Sequence, residues 1–328
     1  MALYNANIMI RESRKARGLT QGQLAEGICS RETIVKLETG KRKPNWFVFR
    51  EILHRLGLST ETYQNEFVSE SEVQLIDIAG KGVNLLALRK FDEAAAMIKE
   101  IEESKEFSND KIWQSEFGRF TLLRLKSGLY SLDTFPPGGN KYHNPDLGIK
   151  YSMEAIYITR PDFEINKIPE YFLAMHEYLN INTIAIAYST MGDRLKSIEI
   201  LKMVKANIEK NYSMEIHDYV ISWYRNMQCN ISIAMMKAGM LEECLESAEE
   251  GLKNNLHTND LIYYYNNMYC KAYSLVGLGR KKEGRDIFKK VLLLVYALDG
   301  HAGLDFESIK KEYEKTYDGA TLDLCVPW

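Results

Sequence analysis

The chain has 328 residues, 45% hydrophobic and 27% charged, enough to bury a large core and to form more than one unit. Its longest apolar run, "VLLLVYAL" at 291–298, falls far short of the ~20 residues of a membrane span, and no secretion signal opens the chain. A cytoplasmic protein without membrane contact is therefore expected. The five cysteines (Cys29, Cys229, Cys244, Cys270 and Cys325) are scattered and form no CxxC pair, so they read as reduced core thiols.

The net charge of -3 conceals an asymmetry. Residues 1–60 carry eleven Lys/Arg against five Glu, a balance of +6, and the rest of the chain balances at -9. A basic head on an acidic body is the pattern of a polyanion-binding module joined to a unit that does not bind polyanions.

The head reads as four short helices. The first runs from about Asn5 to Arg17 and stops at Gly18. Thr20 is placed to cap a second helix, Gln21 to about Ile28, with Gln23 completing a capping box. A tight turn at Cys29 follows, and Ser30 caps a third helix to about Leu37, with Ile34 and Leu37 inward. After Gly40 and Pro44, a fourth helix buries Val48, Ile52 and Leu56. Two short helices joined by a tight turn make a helix-turn-helix, whose second helix presents its first turns to the major groove. Arg31, Glu32 and Lys36 are its outward residues and the candidates for base contact, since arginine matches guanine and glutamate accepts from the cytosine amine. Glu32 and Lys36 also stand four apart in the order that favours pairing on a solvated face. Gln21 and the loop residues Lys41, Arg42 and Lys43 are the candidates for phosphate contact, and the cap residue Ser30 is a further candidate for DNA contact.

The stretch "GLTQGQLAEGICSRETIVKLETGKRKP" resembles the XRE, or phage-repressor-like, helix-turn-helix family over residues 5–66 or so. Its turn, "GICS", is a residue shorter than in many phage repressors. The resemblance implies an ion pair between Arg14 of the first helix and Glu38 at the end of the third.

From residue 70 onward the chain repeats in rhythm. Four segments, "GVNLLALRKFDEAAAMIKEI", "IAIAYSTMGDRLKSIEILKMV", "ISIAMMKAGMLEECLESAEEGL" and "KAYSLVGLGRKKEGRDIFKKVL", each join two helices by a short turn. A small residue recurs early in the second helix of each, at Ala94, Ser197, Cys244 and Gly284. A degenerate pair is expected over 109–158, interrupted by "DTFPPGGNKYHNPD", with a capping helix from about Leu304 to Tyr317. The segments resemble tetratricopeptide repeats, and such pairs bury their apolar faces by stacking into a right-handed solenoid. The concave face is then lined by first helices, which directs Asn182, Asn226 and Asn266 inward, with Asn230 and Tyr269 beside them. Asparagine donates and accepts, so a row of them suits the backbone of an extended peptide, and tyrosines supply pockets with a polar tip. Helical Asn and Tyr also serve as ordinary packing residues.

Enzyme signatures fail. "HEYLN" at His176 has Asn180 where a zinc protease needs its second histidine, and "GLGRKKEG" at Gly277 lacks the glycine spacing and the preceding strand of a nucleotide site. No cofactor or metal is expected. The expected fold is all-α: a phage-repressor-like helix-turn-helix domain at 1–66 and a tetratricopeptide-like right-handed α-solenoid at 70–328. That architecture resembles the RRNPP (Rgg/PlcR/PrgX-like) group of bacterial regulators. The resemblance implies a homodimer on double-stranded DNA with an inverted-repeat operator, controlled by a short linear oligopeptide in the concave groove. The alternative is a DNA-binding regulator whose repeats dock a protein partner.

Overall fold

The computed structural model describes residues 2–60, 68–103, 111–133, 138–212, 218–255, 261–297 and 306–317, and every regular element among them is a helix. The head comprises α1 (Ala2–Ala16), α2 (Gln21–Ala25), α3 (Arg31–Glu38) and α4 (Trp46–Leu56). Both predicted caps form: Thr20 and Gln23 close a capping box, and the Ser30 hydroxyl accepts from the Thr33 N–H. Asn45 caps α4, which ends at Gly57 in the left-handed conformation. One expectation needs correction. α2 ends at Ala25 rather than near Ile28, so the turn runs from Glu26 to Ser30. The break has two causes. Gly27 takes a positive φ of 65°, and the Arg55 guanidinium donates to the carbonyls of Gln23, Leu24 and Glu26 that the helix leaves open.

The body begins with α5 (Glu70–Ala87) and α6 (Phe91–Glu103), and a short α7 (Lys111–Gln114) leads into α8 (Glu116–Ser131) and α9 (Pro145–Tyr157). A 3₁₀ turn (Ile165–Glu170) precedes the pairs α10 (Met175–Thr190) with α11 (Arg194–Asn211), α12 (Asp218–Ala238) with α13 (Leu241–Asn255), and α14 (Leu261–Gly277) with α15 (Lys281–Ala297). α16 (Phe306–Thr316) packs on α15 and ends the described array. Each first helix touches the next first helix, α5 to α8 to α10 to α12 to α14, and each second helix touches the first helix of the following pair. That contact pattern is an α-solenoid with the first helices as one continuous layer.

The small residues sit where pairs approach. Ala94, Ser197 and Cys244 are buried, and a Cβ on Gly284 would lie 3.0 Å from the Ala272 carbonyl oxygen. Burial pushes the Cys29 and Cys229 thiols up to about 12, so they are protonated and poorly nucleophilic at neutral pH. Cys29, Cys229, Cys244 and Cys270 are free, whereas Cys325 lies outside the described residues. The chain stretch between 60 and 68, where the two expected domains meet, also lies outside them.

Head and body share one core. Leu24, Ile34, Leu37 and Phe47 of the head join Leu75, Phe91, Phe117 and Phe120 of the first repeats in a single apolar cluster. Phe47 is the pivot, its ring 5.4 Å from Phe117, 5.3 Å from Phe120 and 5.1 Å from the His176 imidazole.

Candidate functional site

Helix α3 is set by a hydrogen-bonded corner. Arg14 on α1 grips Glu38 with two nitrogens, Nε at 2.6 Å and Nη2 at 3.0 Å, and its Nη1 donates to the Leu19 carbonyl. The Gln21 amide donates to the same carboxylate at 2.9 Å. Burial pushes the Glu38 carboxyl up, but the bonds from Arg14 and Gln21 outweigh it and hold it below its ordinary range. The expected Arg14–Glu38 pair is thus present, and Gln21 belongs to it.

Ile34 and Leu37 are buried beneath α3, which leaves Arg31 and Glu32 exposed on its first turn and Lys36 half-buried one turn later. Glu32 and Lys36 pair with each other at 2.7 Å. Lys41, Arg42 and Lys43 are exposed in the following loop, while Pro44 is buried behind them. A shallow recess lined by Arg14, Thr20, Gln21, Gly22 and Arg31 opens between the starts of α2 and α3. Ser30 is exposed, with its oxygen engaged as the α3 cap. The exposed face of α3 and its loop is therefore cationic, which suits a polyanion.

The layer of first helices holds a second constellation. Asn230 on α12 donates to Asn182 on α10 at 2.8 Å and to Asn226, one turn away, at 3.1 Å. Asn226 donates onward to the Tyr263 hydroxyl on α14 at 3.1 Å. Three first helices are thus tied by one ladder of amides and a phenol. Asn226 and Asn230 are half-buried, and Asn182 is nearly covered. Asn266 is half-buried on α14, one turn from Tyr263. Tyr269 lies deeper than the sequence suggested: it is buried against Phe288, and its hydroxyl donates to Glu312 of α16. Tyr263, not singled out in the sequence, occupies the place beside the asparagines. Its position three residues before Asn266 was the available signal.

Between these two constellations runs a buried polar seam that sequence reasoning did not find. The Glu51 carboxylate of α4 accepts from the His176 backbone N–H at 3.2 Å and faces His176 Nδ1 at 3.1 Å. Arg55 donates to the Phe172 carbonyl at 2.8 Å and lies 4.3 Å above the Phe172 ring. Arg160 bridges Glu177 at 2.7 Å and Glu26 at 3.3 Å, and Glu26 accepts from the Phe172 N–H at 2.9 Å. Gly27 presses into this seam, since a Cβ there would lie 2.5 Å from Arg160 Nη2. "HEYLN", which begins like a zinc motif, is instead the start of α10 holding the helix-turn-helix turn. Among the described residues no group of His, Cys, Asp and Glu could hold a metal ion, and no helix is long and apolar enough to cross a membrane.

Residues 10–63 match the family model HTH_3, Helix-turn-helix. No curated protein sequence matches the chain. Among solved structures, Bacillus thuringiensis PlcR, in complex with the peptide PapR7 and DNA, is similar at 17% identity and a TM-score of 0.56, covering 94% of this chain and 98% of that one. The Streptococcus dysgalactiae SHP pheromone receptor Rgg2 gives 11% identity and a TM-score of 0.43, with 94% of this chain and 99% of that one covered. The head is an XRE-type helix-turn-helix, and over 94% of its length the chain shares the fold of PlcR.

Proposed function

We propose that this protein is a cytoplasmic transcriptional regulator whose DNA binding is set by a short linear peptide held on the inner face of its repeats. The observation that supports it most is the asparagine ladder. Asn182, Asn226 and Asn230 converge from α10 and α12 on one patch, with Tyr263 closing it, and amides arranged in this way match the backbone of an extended chain. The PlcR structure, which holds peptide and DNA on the same fold, makes this the reading to test first.

In this reading residues 1–66 bind DNA and residues 70–328 bind peptide and dimerise. Arg31, Glu32 and Lys36 read bases, while Ser30, Gln21, Lys41, Arg42 and Lys43 hold phosphates. Two heads of a homodimer engage an inverted repeat. Asn182, Asn226, Asn230 and Asn266 hold the peptide backbone. Tyr269 supports the groove from below through Glu312 rather than touching the ligand.

Calorimetry with short peptides encoded beside the gene tests the groove. Binding that weakens about tenfold or more in Asn226→Ala supports the reading. A protein that co-purifies, with no short peptide bound, overturns it in favour of a docking role.

A further inference from the structure

The amides of the asparagine ladder belong to a longer stripe on α12. Trp223, Asn226, Asn230, Ile233 and Lys237 follow one another at spacings of three and four residues, which puts them on one face of the helix. Lys237 is exposed and the other four are half-buried, whereas Met227, Cys229, Ile231 and Ala234 between them are buried. The stripe changes character along its length. Amides occupy its middle, an aliphatic side chain follows, and an ammonium group stands at the helix end.

Two more cations gather at that end. Arg194, exposed at the start of α11, donates through Nη1 to the Lys237 carbonyl. Arg89, in the turn between α5 and α6, is the one non-glycine residue with a positive φ among the described residues, at 59°. The corresponding turns of the later pairs carry Gly192, Gly239 and Gly279, at 93°, 76° and 82°. Three of these four turns close with the same backbone bond, from Lys90 to Leu85, from Met240 to Met235 and from Arg280 to Leu275. Glycine serves such a turn best, so what the arginine adds is its exposed side chain.

The three cations act on one another. Burial lowers the Lys237 ammonium, and the charges of Arg194 and Arg89 lower it further. Asp133, two residues beyond α8, opposes them, but its two carboxylate oxygens already accept from the Gly138 and Asn140 N–H groups. Neither the Lys237 ammonium nor the Arg89 guanidinium forms an ion pair with a described carboxylate. Three cations from three repeat pairs therefore face one carboxylate, and the surplus positive charge sits in line with the amides.

We propose that the peptide is acidic, and that it sets a carboxylate on Lys237, Arg89 and Arg194, an apolar side chain over Ile233 and its backbone on Asn226 and Asn230. This rests on the peptide reading of the asparagine ladder and adds the charge and direction of the ligand. Ammonium and guanidinium groups bind a carboxylate through charge-assisted hydrogen bonds. The seven residues from Asn230 to Lys237 span about 10 Å of helix, the reach of about three extended peptide residues. The carboxylate therefore stands about three residues from the one held by Asn230. It belongs either to an Asp or Glu side chain or to the peptide's C-terminus, and the chemistry of the site is the same for both.

The test is affinity selection by the intact chain from pools of random N-acetylated heptapeptides, read by mass spectrometry. One pool is C-terminally amidated and lacks Asp and Glu, one is amidated and contains them, and one lacks them but ends in a free acid. A carboxylate pool should be retained about fivefold or more over the neutral pool, and the pool favoured identifies the source of the carboxylate. Lys237→Glu, a change at an exposed residue, should remove that preference and enrich peptides containing Lys or Arg, with an unchanged melting transition. Asn226→Ala should lower retention of every pool. Equal retention of the three pools would overturn the acidic ligand and leave the peptide reading standing. An unchanged preference in folded Lys237→Glu would overturn the assignment to this stripe. Retention of no pool would overturn the peptide reading and this proposal with it.

Discussion

The Glu51 carboxylate and the His176 imidazole, 125 residues apart, meet in a fully buried contact that joins the DNA-reading head to the first helix of the third repeat pair. Six residues beyond His176 on the same helix is Asn182, a rung of the asparagine ladder. One rigid element therefore carries both the head's anchor and part of the candidate peptide surface. A peptide alters DNA binding only if it favours one arrangement of the heads over another, and α10 is the physical connection through which it would do so.

Removal of the anchor is expected to be costly. Glu51→Ala leaves the buried His176 backbone N–H without its acceptor, and a buried donor left unsatisfied typically costs about 1–3 kcal/mol. Urea unfolding of the variant should show a loss of that order. A change within about 0.5 kcal/mol, typical of an exposed surface site, would refute the buried-anchor assignment.

Acid should act through the same carboxylate. Burial alone would raise the Glu51 carboxyl, but the contact with His176, the nearby His54 and the charge of Arg50 prevail and hold it well below its ordinary value. The folded chain therefore resists protonation more than the unfolded chain does. The stabilisation is present above the ordinary carboxylate range and is lost as pH falls through the depressed folded value. Glu38 behaves in the same direction. Unfolding midpoints measured downward from pH 7 should decline in acid, and the decline should be shallower in Glu51→Gln. Identical pH profiles for the two proteins would show that Glu51 does not carry the acid sensitivity.

Gly27→Ala tests the contact between the reading turn and the body. Its φ of 65° costs a non-glycine residue about 1–2 kcal/mol, and the new methyl would strike Arg160 and Glu177. Hydrogen exchange should quicken in α2 and at the start of α10 together. Faster exchange confined to α2 would show that the turn is not held by the body.

Glu32→Ala releases Lys36 and removes an acidic group from the face of α3 proposed to meet DNA. Affinity for random-sequence duplex should rise about threefold at low salt, as measured by fluorescence anisotropy. A weaker affinity would mean that this face of α3 does not approach the phosphates.

What was legible in the sequence was mostly local or carried by a family pattern. The Thr20–Gln23 box, the Ser30 cap and the buried Ile34 and Leu37 follow from spacings of three or four residues, which the helix itself enforces. Arg14 and Glu38 were found through the family pattern, not through any local rule. The repeat pairing was legible because small residues must recur where helices cross. The seam was not, because Glu51, Arg55, Glu26, Arg160 and His176 come from distant stretches, and each reads on its own as an isolated polar side chain. Tyr269 illustrates the other limit. Periodicity placed it near the inner face, but the α16 cap that supplies Glu312 covers its hydroxyl, and no local pattern announces that cover.

The coupling of peptide to DNA is read by an anisotropy titration of the intact chain against a fragment of its own promoter, with and without a saturating short peptide encoded beside the gene. Binding should be salt-sensitive, its affinity should shift about fivefold or more when peptide is added, and the shift should disappear in Asn226→Ala. Superimposable curves with and without a peptide that calorimetry shows to be bound would refute peptide control of this head.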